Sequence, residues 1–421
     1  MSDTQDLRTI ARTLYDAAVT AADPALALRR ELQGAPLPPP AHGGRTVLVA
    51  IGKAAPRMMA EALAHVHGPH EALVVTHHQN TDTVPGARLM KAGHPVPDDA
   101  GATAARALVD LLQRCTVQDR VIALISGGGS ALIPAPVDGL TLSDKAHVNS
   151  ALLASGLEIQ HMNLVRQQLS RLKGGGLLQV AAPATVTAYI LSDVIGDDLR
   201  AIASGPTVGP IGTASDAIDV LQTAGIWSAM PPNAQRHLEN RRANPPVPEA
   251  TNILIGSNKQ SLEAMLSATP KGWISQIACD ALIGDVGTAA AQVCRLIATA
   301  DKPRIFLFGG ETTVALTGSG RGGRNQEMAL RVAMTAPDVA GRWLFLSGGT
   351  DGRDGPTMAA GGYADAHTVA RISAAGSNAR ALLDNNDSHA ALACAGDLLI
   401  TEATGTNVAD VQVLLLAPQT H

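Results

Sequence analysis

The chain has 421 residues, more than one hydrophobic core usually organises, so two domains are expected. It is 46% hydrophobic and 16% charged, with 41 Gly and only 3 each of Trp, Tyr and Phe; this suits aliphatic α/β layers with Gly-rich loops and supplies few stacking platforms for bases. A net charge of -5 argues against an extended nucleic-acid surface, and no apolar run approaches the roughly 18 residues of a membrane span.

The N-terminus, MSDTQDLRTIARTL, carries early acids and lacks a cationic region followed by an apolar block, so no secretory signal is expected and the chain reads as cytoplasmic. Cys115, Cys279, Cys294 and Cys394 are far apart without CxxC pairing, which fits reduced structural thiols better than a disulfide frame or a zinc site. Residues 4–32 predict one or two amphipathic helices, with Ile10, Leu14 and Ala17 or Ala18 at helical spacing, ended by the Pro-rich stretch 36–40. Residues 46–52 read as a buried strand, followed by a helix that begins with Lys53. Lys53 thus stands at a strand's C-terminal end, where ligands of open α/β sheets collect. A second strand starts at Glu71, and a further short strand runs into Lys91-AGHPVPDDAG, where Asp98 or Asp99 begins a helix through Leu112. His94 is read as a loop-fixing hydrogen-bond partner or a ligand contact.

Val121, Ile122, Leu124 and Ile125 form a buried parallel strand that empties into Ser126, Gly127, Gly128, Gly129 and Ser130. Three residues without a Cβ let bare N–H groups approach a phosphate or carboxylate, so this stretch is a candidate anion cradle; the alternative is a tight turn that only permits close packing. Thr141 to Asp144 matches a capping box and starts a helix that Gly156 stops. The next helix carries Ile159, Met162, Val165, Leu169 and Leu172 on one side and runs to Gly174, which leaves Asn163, Arg166 and Lys173 on a polar face. A strand from Thr185 ends at Ser192-Asp193, where a carboxylate suits Mg²⁺ or proton abstraction, or a helix N-cap. Residues 231–249, polar and proline-rich, read as a linker.

The second half predicts a strand from Asn252, a helix from Gln260, a strand-like run from Trp273 to Ile283 and a helix from Gly287 to Thr299. The strand from Arg304 ends with Gly309, Gly310 and Glu311; residues 318–323 form a mobile Gly/Arg loop, and a helix starts at Arg324. A strand from Trp343 empties into glycines and acids, among them Asp351 and Asp354, which suit a hard-cation site or a turn; a further strand and Gly/Thr loop begin at Asp397. Several strands ending in such loops, divided between two halves, imply two α/β domains facing each other across a cleft. Phosphoryl transfer needs phosphate clamps, a carboxylate-held Mg²⁺ and a group that orients the attacking hydroxyl, and the loops supply each without a Walker A motif. Hydride transfer is disfavoured because residues 51–56, IGKAAP, stand where a dinucleotide fingerprint would read G-x-G-x-x-G.

The motifs VAIGKAAPRM, GHPVPD, LISGGGSALIPAPVDGLTLSDK, NLVRQQLSRLKGGGL, LSDVIGDDLRAIASGPT, GGETTV, GRGGRNQEMAL, SGGTDGRDGPT, NNDSH and TGTNVAD run nearly from end to end. Together they make the chain resemble the glycerate 2-kinase family, the type II glycerate kinases with a C-terminal MOFRL region, relatives of which also carry the label hydroxypyruvate reductase. The resemblance implies an α/β fold with a Rossmann-like N-terminal domain (1–240), mostly parallel in its sheet, a smaller MOFRL-type α/β C-terminal domain (250–421) and an active site in the cleft between them. It implies phosphorylation of D-glycerate at its 2-hydroxyl by ATP with Mg²⁺, in a monomer or small homo-oligomer without nucleic-acid or membrane partners. Lys53 and Arg324 match the family's basic cleft residues. Asp193 is assigned to the 2-hydroxyl, Glu311 and Asp351 to Mg²⁺, and Ser126 to Ser130 with Asn325 to substrate or phosphate. Glu402-Ala403 departs from the Gly-Pro often found there in relatives. A hydroxypyruvate reductase using NAD(P)H and a non-catalytic hydroxy-acid sensor are the alternative readings.

Overall fold

The computed structural model describes residues 3–241, 246–297, 302–339 and 341–417. Two compact units emerge: a central one, Ala27–Ser192 with Asp197–Ile255, and a terminal one, Met1–Leu26 with Asp193–Gly196 and Gly256–His421. The first segment therefore groups with the C-terminal residues, where the sequence reading set it within 1–240. No described helix is long and apolar enough to cross a membrane.

The central unit is built on a six-stranded sheet of β1 (Thr46–Ile51), β2 (His70–His77), β3 (Arg88–Ala92), β4 (Arg120–Ile125), β5 (Thr185–Leu191) and β6 (Ala250–Gly256), in the order β3-β2-β1-β4-β5-β6. Pairings from β3 through β5 are all parallel. Every residue of β1 is buried, as are Val121 to Ile125, because a parallel sheet is covered on both faces; the sequence signal is accordingly a continuous apolar run. This is a doubly wound α/β arrangement, and the strand order reverses between β1 and β4.

Local chemistry sets the helices around it. Asp98 accepts the Gly101 N–H and starts the helix Asp99–Gln113, and the Thr141–Asp144 capping box opens Leu142–Ala154. The next helix, Ile159–Gln168, stops before the expected Gly174, since Ser170 bridges to Pro136 and the chain turns inward. Asn163 and Lys173, expected on a polar face, are buried as a result. The expected linker also holds structure: residues Pro232–Asn240 form a helix whose Ala234 and Leu238, four apart, pack with Val148, Leu152, Leu164 and Leu221. Residues 242–245 of that stretch lie outside the described residues, as do 298–299 at the end of the helix expected from Gly287.

The terminal unit carries β7 (Ile274–Asp285), β8 (Arg304–Thr313), β9 (Arg342–Gly349), β10 (Ala359–Asp365), β11 (Leu398–Ile400) and β12 (Asp410–Ala417), ordered β11-β10-β9-β12-β8-β7. β7 pairs with β8 in parallel, whereas β8 with β12, β12 with β9, β9 with β10 and β10 with β11 are antiparallel. Period-two alternation assigns its two faces. Ile305, Leu307, Leu344, Leu346, Val411 and Val413 meet Leu7, Ala11, Leu14, Tyr15 and Ala18 of the first helix, Asp3–Ala21. Phe306, Phe308, Trp343, Phe345, Leu414 and Leu416 face the helices Val286–Ile297 and Arg324–Thr335.

Candidate active site

In the central unit the chemistry gathers where the strand order reverses, beyond the C-terminal ends of β1 and β4. The two loops are tied together: Ser126 N–H donates to Ile51 O and Lys53 N–H to Gly127 O, each at 2.9 Å. Gly128 has φ 83°, in the left-handed region, and a Cβ there would lie 3.1 Å from the His94 ring and 3.3 Å from Lys53 Cγ. A side chain would thus fill the space that the Lys53 stem, His94 and the Gly128 backbone share. Burial, with the charges of Lys53 and His77, pushes His94 down to about 4, so its imidazole is neutral at physiological pH.

The two serines of the loop have separate tasks. Ser126 is buried, and its Oγ accepts the Ala54 N–H at 3.1 Å, which fixes the β4 loop to the start of the helix Ala55–Leu63. Ser130 Oγ accepts Lys173 Nζ at 2.6 Å and lies 3.0 Å from Ser204 Oγ. Gly127 and Gly129 supply the backbone between them.

In the terminal unit the site is assembled at one end of the sheet, where Asp410 sits in register with Gly310 of β8 and Gly349 of β9. Arg324, the first residue of its helix, donates from Nε and Nη2 to the two oxygens of Asp410 at 2.5 and 3.0 Å, while Nη1 lies 2.8 Å from Glu311 Oε1. Asp410 is buried and Glu311 exposed. The fork is therefore oriented by one carboxylate and lightly held by another, and the guanidinium stays charged throughout. Asp351 accepts the Arg353 N–H, and a Cβ on Gly349 would lie 2.8 Å from Arg353 O, 3.1 Å from Asp351 Oδ1 and 3.4 Å from Asp410 Oδ1, so only a glycine lets the backbone pack this closely beside the two carboxylates.

Asp354 caps the Arg324 helix from outside by accepting the Asn325 and Gln326 N–H groups at 3.1 and 2.8 Å. Asn325 is buried with its amide taken up by Asp354 and Ser347, so its side chain supports the loop from within. The Gly/Arg loop, expected to be mobile, is tied down instead: Gly318 N–H donates to Asn386 Oδ1, Gly320 N–H to Asn385 O and Arg321 N–H to Asp387 Oδ1. This explains the NNDSH motif, which fastens the approach to Arg324. The Glu402-Ala403 departure leaves the adjoining Thr404 bonded through Oγ1 to Thr350 O at 2.6 Å.

The structure thus brings together Lys53 with Ser126 to Ser130 in one unit, and Arg324 with Glu311 near Asp351 in the other. Asp193, part-buried directly after β5, groups with the terminal unit. Sequence reasoning missed Asp410, the principal partner of Arg324, although an acid opening the apolar run 411–417 was its visible signal. It also missed the environment of Lys145 and Lys173.

Residues 10–239 match a family described as a domain of unknown function (DUF4147), and residues 304–410 match the MOFRL family. The chain is 37% identical to a D-glycerate 2-kinase of Thermotoga maritima, over 99% of this chain and 100% of that one. It is 40% identical to a putative hydroxypyruvate reductase of Agrobacterium vitis, over 89% of this chain and 100% of that one. A crystal structure of glycerate kinase from Thermotoga maritima superposes with a TM-score of 0.90 at 35% identity, covering 98% of this chain and all of that one. The chain belongs to the glycerate 2-kinase family with a MOFRL region.

Proposed function

We propose that this protein is an ATP-dependent glycerate 2-kinase, which moves the γ-phosphoryl group of ATP to the 2-hydroxyl of D-glycerate and yields 2-phosphoglycerate and ADP. The observation that carries this reading is identity of 37% with a D-glycerate 2-kinase along essentially the whole of both chains. In the transfer the 2-hydroxyl oxygen bonds to the γ-phosphorus, the bond from that phosphorus to the β,γ-bridging oxygen breaks, and the hydroxyl proton passes to a base. Asp193 is assigned that role. Lys53 is assigned to the phosphoryl charge as a movable cation, and Arg324 as a planar fork. Because Glu311 is the exposed partner of Arg324, Nη1 is the donor that a phosphoryl oxygen takes over, while Asp410 holds the fork in place.

Mg²⁺ would neutralise charge on the phosphate oxygens. The donor set suits it: among the described residues no three His, Cys, Asp or Glu side chains form a protein-only metal site, and Mg²⁺ bound with phosphates needs only one or two carboxylates. Glu311, which lies 2.8 Å from Arg324 Nη1, and Asp351 are assigned to it.

Product analysis by phosphorus NMR after incubation with Mg-ATP and D-glycerate tests the reading; 2-phosphoglycerate and ADP are expected. The name of the Agrobacterium vitis relative favours a second reading, hydroxypyruvate reduction. Oxidation of NADH with hydroxypyruvate, without ADP formation from ATP and glycerate, would establish it and sink the kinase. Binding of glycerate with neither turnover would leave a sensor.

A further inference from the structure

Three cations of the central unit lie close enough to act on one another, with no counter-charge on them among the described residues. Lys145 projects from the helix Leu142–Ala154, Arg166 from Ile159–Gln168, and Lys173 from the turn before Gly176–Ala181. The Nζ of Lys145 is buried and has no hydrogen-bond partner among the described residues. Lys173 is 6% exposed and donates to the Ser130 hydroxyl; Arg166 donates to the neutral Asn149 Oδ1. Burial lowers the proton affinity of all three. Arg166 lowers that of Lys145 further, and Lys145 with Arg166 that of Lys173. No carboxylate is among the groups that act on any of them.

Buried ammonium groups are normally paired, because desolvation of an unpaired charge is costly. A cluster of three with no acid among the described residues is an arrangement that an anion would complete. Its position is informative as well. Ser130, which Lys173 touches, is the last residue of the Gly-rich loop, and Ser204 reaches it from the turn after β5 with φ 62°, beside Ala203 at 50°. Non-glycine residues are held in that region only at a cost, and such strain gathers at ligand sites.

We propose that Lys145, Arg166, Lys173 and the hydroxyl of Ser130 form a subsite for a doubly charged phosphoryl group. A single carboxylate would leave two positive charges unanswered in a buried place. A phosphoryl dianion leaves one, and either lysine can release a proton to remove it. The kinase reading enters only in naming the carrier of the phosphoryl group, which is then phosphoglycerate or the nucleotide.

Calorimetric titration of the full chain tests this with inorganic phosphate, 2-phosphoglycerate, ATP and D-glycerate as separate probes. Inorganic phosphate is expected to bind, and Lys145→Met and Arg166→Met are each expected to weaken it at least tenfold. Arg106→Met, which removes an exposed cation of the same unit, should leave it unchanged. Thermal unfolding of each variant establishes that it is folded. Competition by 2-phosphoglycerate supports the subsite with the product as carrier, and competition by ATP supports it with the nucleotide. Binding of phosphate to Lys145→Met as to the parent chain, no binding to the parent, or equal competition by D-glycerate would overturn it. Phosphate binding lost in the variants but no kinase turnover in the parent would count against the kinase reading alone.

Discussion

Replacing Lys145 by methionine should make the ligand-free protein more stable, and the gain should depend on pH in a definite way. In the folded chain burial and Arg166 push Lys145 from 10.5 down to about 8. At about 1.4 kcal/mol for each tenfold change in proton affinity, holding this ammonium inside costs about 3 kcal/mol at pH 7. Below pH 8 both folded and unfolded chains carry the proton and the penalty is complete. Between pH 8 and 10.5 the unfolded chain binds more protons than the folded one, so the stability of the parent rises with pH and the penalty fades. Methionine keeps the unbranched stem, one atom shorter, without its charge, so Lys145→Met should gain up to about 3 kcal/mol at pH 7 and about 2 kcal/mol less at pH 9.5. For a unit of this size that is a rise of roughly 6–12 °C in midpoint at neutral pH, measured by thermal unfolding in phosphate-free buffer. Saturating phosphate should narrow the difference, since it stabilises only the chain that binds it. A variant no more stable than the parent at pH 7, or a gain that persists unchanged at pH 9.5, would refute the reasoning.

Other perturbations follow from the two loops. Lys53→Ala should reduce turnover by about two orders of magnitude or more, as expected for loss of a charge that acts on the transferred group, with little change in unfolding midpoint. Arg324→Ala should lose activity and also about 3–5 kcal/mol of stability, because Asp410 is left buried and unpaired. Adding Asp410→Asn should recover much of that stability and none of the activity, which denaturant titration beside a coupled ADP assay can separate. Gly128→Ala should cost about 1–2 kcal/mol for the left-handed backbone and lower activity through its collision with His94 and Lys53; unchanged turnover would show that this space is not used.

The parallel sheet was legible because strands buried on both faces must be written as apolar runs, and 46–51 and 121–125 are. The loops at their ends were legible because glycine clusters have few other uses. What could not be read were features decided by packing. Lys173 has the composition of a surface residue, and only the inward turn at Leu169 to Lys173 buries it. Asp410 looks like any acid before a strand until β8 and β9 place Gly310 and Gly349 beside it. The helix Pro232–Asn240 is hidden by its prolines, although proline is tolerated in a helix's first turn.

The first helix carries a consequence for how the chain is made. Residues 7 to 18 emerge from the ribosome early, yet their partners on β8, β9 and β12 are synthesised only after the whole central unit. Tyr15 also donates its hydroxyl to Gly349 O at 2.7 Å, directly beneath the carboxylates around Arg324. Closing that contact spans 334 positions, among the most distant a chain of this length can make. The terminal unit is thus completed only by the return of the oldest part of the nascent chain, and a fragment beginning at Gly256 would expose the apolar sheet face that this helix covers.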